Sequence, residues 1–427
     1  MACSLLHILL SDSAVGFDVL TLDDVTPMKD LMKNSWDLKQ TVVRDDVLSM
    51  GLAGMNALGN KHREEEKALK RLGAPEVVEE VVRSFAIHSV VHARMALMAL
   101  VYAAMTDKGK KSIVEKRGVQ AEMEAIEEFS ADKEACSNGL NALSLMTDVT
   151  AAQKLVVKYG VGSILSVMRR HTAEEEVLLF ALKALSGLRE VKEVCDAIGR
   201  EGGIPAVVEV WRLYAEEEEM VKLGAEVLKM ATRSSEASAD ELVGCNAVQT
   251  LLEVLEQYAS EPLVMSALCE LMAVMATNAQ AKKRFIAEDV ISTLVVMISS
   301  GGKEDAEMIG AALHALMSLL SAPFDTDALQ GQDIVSIIVD AFLVVLDSAA
   351  VNVDEACLNC MNALRVIAQD EDKKRELVAG DGKEVLEKVL SRASRDLELS
   401  SLALDVTGTF QIIHRTLHRA RRERWWT

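Results

Sequence analysis

Few residues of this chain stand at spacings that could do chemistry. His88 and His92 are four apart in a predicted helix, which would place both imidazoles on one face. A zinc site needs a third ligand, and no acidic partner follows at metalloprotease spacing. Cys357-Leu358-Asn359-Cys360 has the spacing of a redox or metal pair. Its counterparts elsewhere in the chain are Cys136 and Gly139, so these positions read as small residues for close helix packing. Ser299-Ser300-Gly301-Gly302-Lys303 lacks both the spacing and the preceding strand of a phosphate loop. Eight scattered histidines offer no nucleophile, base and orienter. No catalytic, metal or cofactor-binding residue is assigned, and the chain is not expected to be an enzyme.

Composition narrows the class. The 427 residues carry 46 Lys and Arg against 66 Asp and Glu, a net charge of −20. That acidity argues against nucleic acid as the main partner, because such binding rests on neutralising phosphates. Half of the residues are apolar, too many for intrinsic disorder. Only 5 prolines and 16 aromatic residues occur, which favours helix over sheet. Seven dispersed cysteines imply no disulfide framework, and a cytoplasmic or nuclear setting is expected. The apolar run Leu5 to Leu10 has no basic flank, so a signal peptide is not expected. The longest apolar stretch, Ile334 to Leu346, is 13 residues and contains Asp340, too short and too charged to span a bilayer.

The elements that would position any site come in repeats. In the segment from Lys183 to Trp211, one amphipathic helix ends, a short helix follows, and Gly202-Gly203 breaks the chain before a third begins at Ile204. The residue after the break recurs at Val25, Ala74, Val119, Val161, Ile204, Val248, Ile291, Ile334 and Gly382, at steps of 42 to 49. An independent anchor, the small-apolar pair expected to end each long helix, recurs from Ala57-Leu58 through Ala142-Leu143 and Ala315-Leu316 to Asp405-Val406. ACSNGLNAL from Ala135 matches ACLNCMNAL from Ala356 at six of nine positions. Val177, Phe180, Ala181, Ala184, Leu185 and Leu188 fall at helical steps of three and one. No single unit can bury such a stripe, so neighbours must stack into a continuous core.

A period near 42, three helices per unit and the Gly-Ile break resemble the armadillo repeat. NALGN, NALSL, KALSGL and HALMSL match its third helix, GAPEVVEEVV, GVGSILSVM and GGIPAVVEVW its second, and KKSIVEKRG, AQKLVVKYG and KKRFIAED its short first helix. HEAT repeats, the nearest alternative, lack that first helix and its glycine. The resemblance implies an all-α, armadillo-type α-solenoid, a right-handed superhelix of about nine three-helix repeats. It would occupy residues 1–411, with residues 1–48 an incomplete N-terminal capping repeat and residues 412–427 a basic, Trp-containing tail.

In armadillo proteins the third helices line a concave face that binds extended peptides or proteins. The family's nuclear-import receptors carry a Trp and an Asn four apart on each third helix. The Trp row here would read Asn56, Met98, Asn141, Lys183, Ala225, Cys269, His314, Asn362 and Leu404. The Asn row would read Asn60, Tyr102, Leu145, Gly187, Lys229, Ala273, Ser318, Val366 and Gly408. No Trp appears and the Asn persists only at Asn60, so the import-receptor reading falls. The residues expected to contact a partner are Asn56, Asn60, Met98, Tyr102, Asn141, Lys183, His314 and Asn362. Their amides can hydrogen-bond a peptide backbone, and Met98 and Tyr102 offer adaptable and amphipathic surface.

Charge is zoned along the repeats. Glu174–Glu176, Glu216–Glu219 and Asp354–Glu355 precede or open third helices, where carboxylates suit the helix dipole and could attract a basic partner. Lys110-Lys111, Lys282–Arg284 and Lys373–Arg375 recur at the start of first helices. The tail carries Arg415, Arg419, Arg421, Arg422 and Arg424 and ends in Trp425-Trp426. It is expected to cap the last repeat. The alternatives are docking to an acidic partner or a membrane surface, or autoinhibition in the chain's own groove. The reading is a non-enzymatic protein-interaction scaffold or adaptor. The alternatives are a chaperone- or GTPase-regulating clasp and a structural subunit of a cytoskeletal or ciliary assembly.

Overall fold

The computed structural model describes residues 21–38, 41–189, 191–301, 305–320, 334–346, 359–360 and 362–365; the side chains of residues 22, 41–43, 159, 234, 236 and 334 are outside that description. The chain divides into two compact units, Met1–Tyr214 and Ala215–Thr427. Among the described residues there is no strand.

The first unit contains α1 (Val25–Ser35), α2 (Thr41–Lys61), α3 (Glu66–Leu72), α4 (Pro75–Ser84), α5 (Val90–Ala104), α6 (Asp107–Glu115) and α7 (Gly118–Glu128). It continues with α8 (Lys133–Leu145), α9 (Thr150–Tyr159), α10 (Val161–Arg170), α11 (Glu175–Ser186), α12 (Lys192–Arg200) and α13 (Gly203–Leu213). The second contains α14 (Glu218–Ser234), α15 (Glu236–Gly244), α16 (Ala247–Gln257), α17 (Pro262–Met275), α18 (Ala279–Ala287), α19 (Val290–Ser300), α20 (Ala306–Leu320) and α21 (Ile334–Leu346). From α3 to α20 the helices come in threes, the third the longest of each. Third helices pack consecutively, α2 on α5 and α5 on α8 and α8 on α11 in the first unit, α14 on α17 and α17 on α20 in the second.

Local chemistry fixes the boundaries. Thr106, Asp132, Ser235 and Asn278 cap α6, α8, α15 and α18 through side-chain oxygens that accept backbone N–H groups. Pro75 and Pro262 open α4 and α17, where a missing N–H costs nothing. Before α7, α13, α16 and α19 the break is a left-handed residue: Arg117, Gly202, Asn246 and Asp289 have φ of 59°, 71°, 61° and 55°; Ala74 and Gly160, before α4 and α10, have negative φ. The second helices start within one residue of the anchors expected at Val25, Ala74, Val119, Val161, Ile204, Val248, Ile291 and Ile334. The small-apolar pairs, by contrast, do not all end the long helices. Ala57-Leu58 and Ala99-Leu100 lie about a turn inside α2 and α5, because the chain stays helical to Lys61 and Ala104.

Burial follows the stripes. Leu97, Ala125 and Ala135 form a core cluster against which Phe85 and Phe129 pack. Trp211 in the first unit and Phe285 and Phe342 in the second are fully enclosed. Truncating such a side chain costs about 2–5 kcal/mol. No helix among the described residues is long and apolar enough to cross a membrane.

Candidate functional site

The first unit sets its row residues on adjacent third helices. Asn56 is half-buried, and its Nδ2 donates to the Met95 carbonyl 2.9 Å away on α5. Its Oδ1 is enclosed and finds no partner. Part of this amide therefore ties α2 to α5. Asn138, not singled out in the rows, does the same from the other side: its Nδ2 donates to the Arg94 carbonyl at 3.1 Å. The signal that could have found it is the matched pair of nonapeptides, where Asn138 corresponds to Asn359.

Asn141 is half-buried on α8, and no hydrogen bond from its side-chain amide is recorded among the described residues. Met98 is half-buried and Asn60 exposed. The Tyr102 ring packs so close to Gly59 of α2 that a Cβ there would collide with it. Burial raises the Tyr102 hydroxyl above the ordinary tyrosine pKa, against a smaller opposing effect of Arg63. Lys183 places its Nζ 5.7 Å from the centre of the Phe180 ring, a cation–π contact.

His88 and His92 do not share a helix face. His88 has φ of 52° and precedes α5, facing Glu128 at 3.1 Å. His92 lies inside α5, where Nε2 is 3.0 Å from both the Ser49 hydroxyl and the Asp45 carbonyl. The left-handed turn at His88 ends the register that a continuous helix would need. No group of three or more His, Cys, Asp or Glu side chains among the described residues could hold a metal.

In the second unit the rows behave differently. Ala225, Cys269 and Ala273 are buried, so these positions form floor rather than contact surface. Ala273 also lines a pocket of about 920 Å³ between α14, α15, α17, α18 and α20. Arg233, Asp240, Asn278, Gln280, His314 and Ser318 bring polar groups to it. Lys229, at the next row position, pairs with Glu270. Burial, then Arg233, holds the His314 imidazole below its ordinary pKa, with Lys229 adding to the fall and Glu270 opposing it. Ala273, the small row residue in its lining, is the sequence signal for this recess.

Asn362 is half-buried and Cys360 buried on a helical segment. Cys357, Asp354–Glu355, Lys373–Arg375, the later row positions and the whole tail from Arg415 to Trp426 lie outside the described residues. The acidic runs that are described are partly spent locally, since Glu174 meets Lys133 at 3.0 Å. The basic edge is likewise matched where Lys110 meets Asp148 at 2.7 Å.

No family model matches the chain, and no curated protein matches it in sequence. Solved structures do match in shape. An engineered protein from the Northeast Structural Genomics Consortium is 20% identical, with TM-score 0.61, over 96% of this chain and 98% of that one. A chain from work on a phosphorylation switch controlling the interaction between cadherin and beta-catenin is 16% identical, with TM-score 0.69, over 96% and 86%. A designed armadillo repeat protein is 18% identical, with TM-score 0.48, over 57% and 99%. At these identities the likeness is one of fold. The first two matches and the three-helix order define an armadillo-type α-solenoid.

Proposed function

We propose that this chain is a non-enzymatic scaffold or adaptor that binds a protein or extended peptide segment across its third helices. The observation that carries this reading is the row on α5, α8 and α11. Met98, Asn141 and Lys183 stand half-buried on consecutively packed helices, with adaptable, hydrogen-bonding and cationic side chains side by side. A repeat stack offers a longer contiguous surface than a single globular core of equal mass, which suits an extended partner. In the second unit, the recess beside His314 supports the same use.

The test combines capture and mutation. Partners retained by the full chain are identified by mass spectrometry, and capture is repeated with Asn141→Ala and Lys183→Ala together. Retention should fall several-fold while the melting temperature stays within about 2 °C, since changes away from the core cost little. Unchanged retention would remove these helices from the contact.

A further inference from the structure

The pocket of the second unit has a charge pattern that the rest of its surroundings does not share. Its lining includes one guanidinium, Arg233, and one carboxylate, Asp240. Asp240 is engaged: the Asn278 amide donates to its Oδ1 at 2.7 Å. Asn278 is itself fixed, because its Oδ1 accepts the backbone N–H groups of Gln280 and Ala281. Thr232 and Thr277 spend their hydroxyl protons on the Leu228 and Val274 carbonyls, 2.6 and 2.7 Å away. The neighbouring Lys229 is matched by Glu270. Arg233 is exposed in the last turn of α14, and no ion pair or hydrogen bond of its side chain is recorded among the described residues. The pocket therefore presents an uncommitted five-donor fork, with the exposed Gln280 amide and the half-buried His314 ring nearby.

Resting on the peptide-binding reading above, we infer that this pocket receives an aspartate or glutamate side chain of an extended partner segment, with Arg233 as its counter-ion. Three features favour that occupant. The planar guanidinium fork matches a carboxylate bidentately, and such charge-assisted pairs are stronger and more directional than neutral ones. The volume of about 920 Å³ falls in the range of ligand sites and exceeds one side chain, leaving room for flanking backbone. The floor of Ala239, Ala273 and Val274 is small and apolar, so the approach of backbone is not obstructed by long side chains. A basic residue would instead face Arg233 with like charge. In the open pocket of the first unit the guanidinium, Arg71, already meets Asp23 at 2.9 Å, and the other cations there, Lys67 and Lys108 among them, are ammonium groups without a bidentate fork.

The probe is a random twelve-residue peptide library displayed on phage and panned against the full chain. Enriched sequences are then synthesised and measured against the wild type, Arg233→Ala and Arg233→Glu. The expected result is an enriched set sharing one acidic position. Changing that residue to its amide should weaken binding at least tenfold, Arg233→Ala should do the same, and Arg233→Glu should recover a peptide whose acid is changed to Lys. All three proteins should melt together, because Arg233 is exposed. Enriched peptides without an acidic residue, or ones indifferent to Arg233, would overturn the assignment and leave the peptide-binding reading standing. A basic consensus would point instead to the acidic helix starts and equally overturn it. Failure to enrich any peptide would defeat both.

Discussion

Arg94 and Asp132 are joined fork to fork between consecutive third-helix segments. Arg94 Nε donates to Oδ1 at 2.8 Å, Nη2 donates to Oδ2, and Nη1 reaches Glu134 at 3.0 Å. The same Asp132 Oδ1 accepts the Ala135 N–H at 2.9 Å and caps α8. One carboxylate thus starts a helix and fastens it to the preceding one. The Arg94 hydrogen bond, followed by that backbone bond, holds the Asp132 carboxyl below its ordinary pKa, with burial opposing.

Asp132→Ala should therefore lower stability by about 1–2 kcal/mol, the usual cost of a lost cap, with the Arg94 pair adding to it. The depressed pKa fixes the direction with pH. The contribution is present above the unfolded value near 3.8 and is lost as pH falls through the lower folded value. Urea midpoints of wild type and Asp132→Ala should diverge at pH 7 and converge at the acid end. A gap independent of pH would mean the carboxylate charge plays no part.

The left-handed residue before α7, α13, α16 and α19 gives a paired test. Arg117 pays the Cβ penalty of that region, about 1–2 kcal/mol, where Gly202 does not. Arg117→Gly should raise the melting temperature and Gly202→Ala should lower it, each by about 1 kcal/mol in equivalent stability. Changes of the same sign in both would contradict the common geometry.

The repeat boundaries were legible because most breaks use a short-range device, a left-handed residue, a cap or a helix-opening proline, that leaves its mark at near-regular intervals. Helical spacing also lets the rows be written from the sequence, since it sets which residues share a face. What each row residue does was not. Asn56 spends its NH₂ on the Met95 carbonyl, and Cys269 is sealed, facts that depend on how closely neighbouring helices approach. His88 misled because a turn that interrupts a helix can lie within an apolar, helix-favouring run. The pocket by Arg233 joins α14 to α20, far apart in the chain, so only the folded second unit brings its guanidinium near His314.

The cysteines should sort by enclosure. Burial pushes the Cys136 and Cys269 thiols up to about 12, whereas Cys245 is only half-buried, its thiol raised by burial and by Glu241. The thiolate is the reactive form. Ellman's reagent at pH 8 should modify Cys245 well before Cys136, Cys269 or Cys360 in the folded protein, read by peptide mapping. Equal rates would show that the third-helix thiols are not in closed core.

Glu122 on α7 has no measurable exposure, and neither carboxylate oxygen has a hydrogen-bond partner. The matching positions of α4, α10, α13, α16 and α19 carry Val77, Ile164, Val207, Leu251 and Leu294, all buried. A charge there would be costly, and burial pushes the carboxyl well above the carboxylate range. The folded state thus keeps its proton where the unfolded chain releases it. Above the unfolded value near 4.5, every rise in pH up to the folded value favours unfolding. Glu122→Val removes both the proton linkage and the unpaired polar group, so it should stabilise the protein at pH 7, by about 1–3 kcal/mol. The difference between variant and wild type should shrink from pH 7 toward pH 4, because there the unfolded chain also holds this proton and folding no longer has to bind it. Urea midpoints for the two proteins at pH 4.5, 6 and 7.5 measure it, and the subtraction cancels the other carboxylates they share. A variant that is less stable at every pH would mean that Glu122 finds a partner in solution and that its burial is favourable.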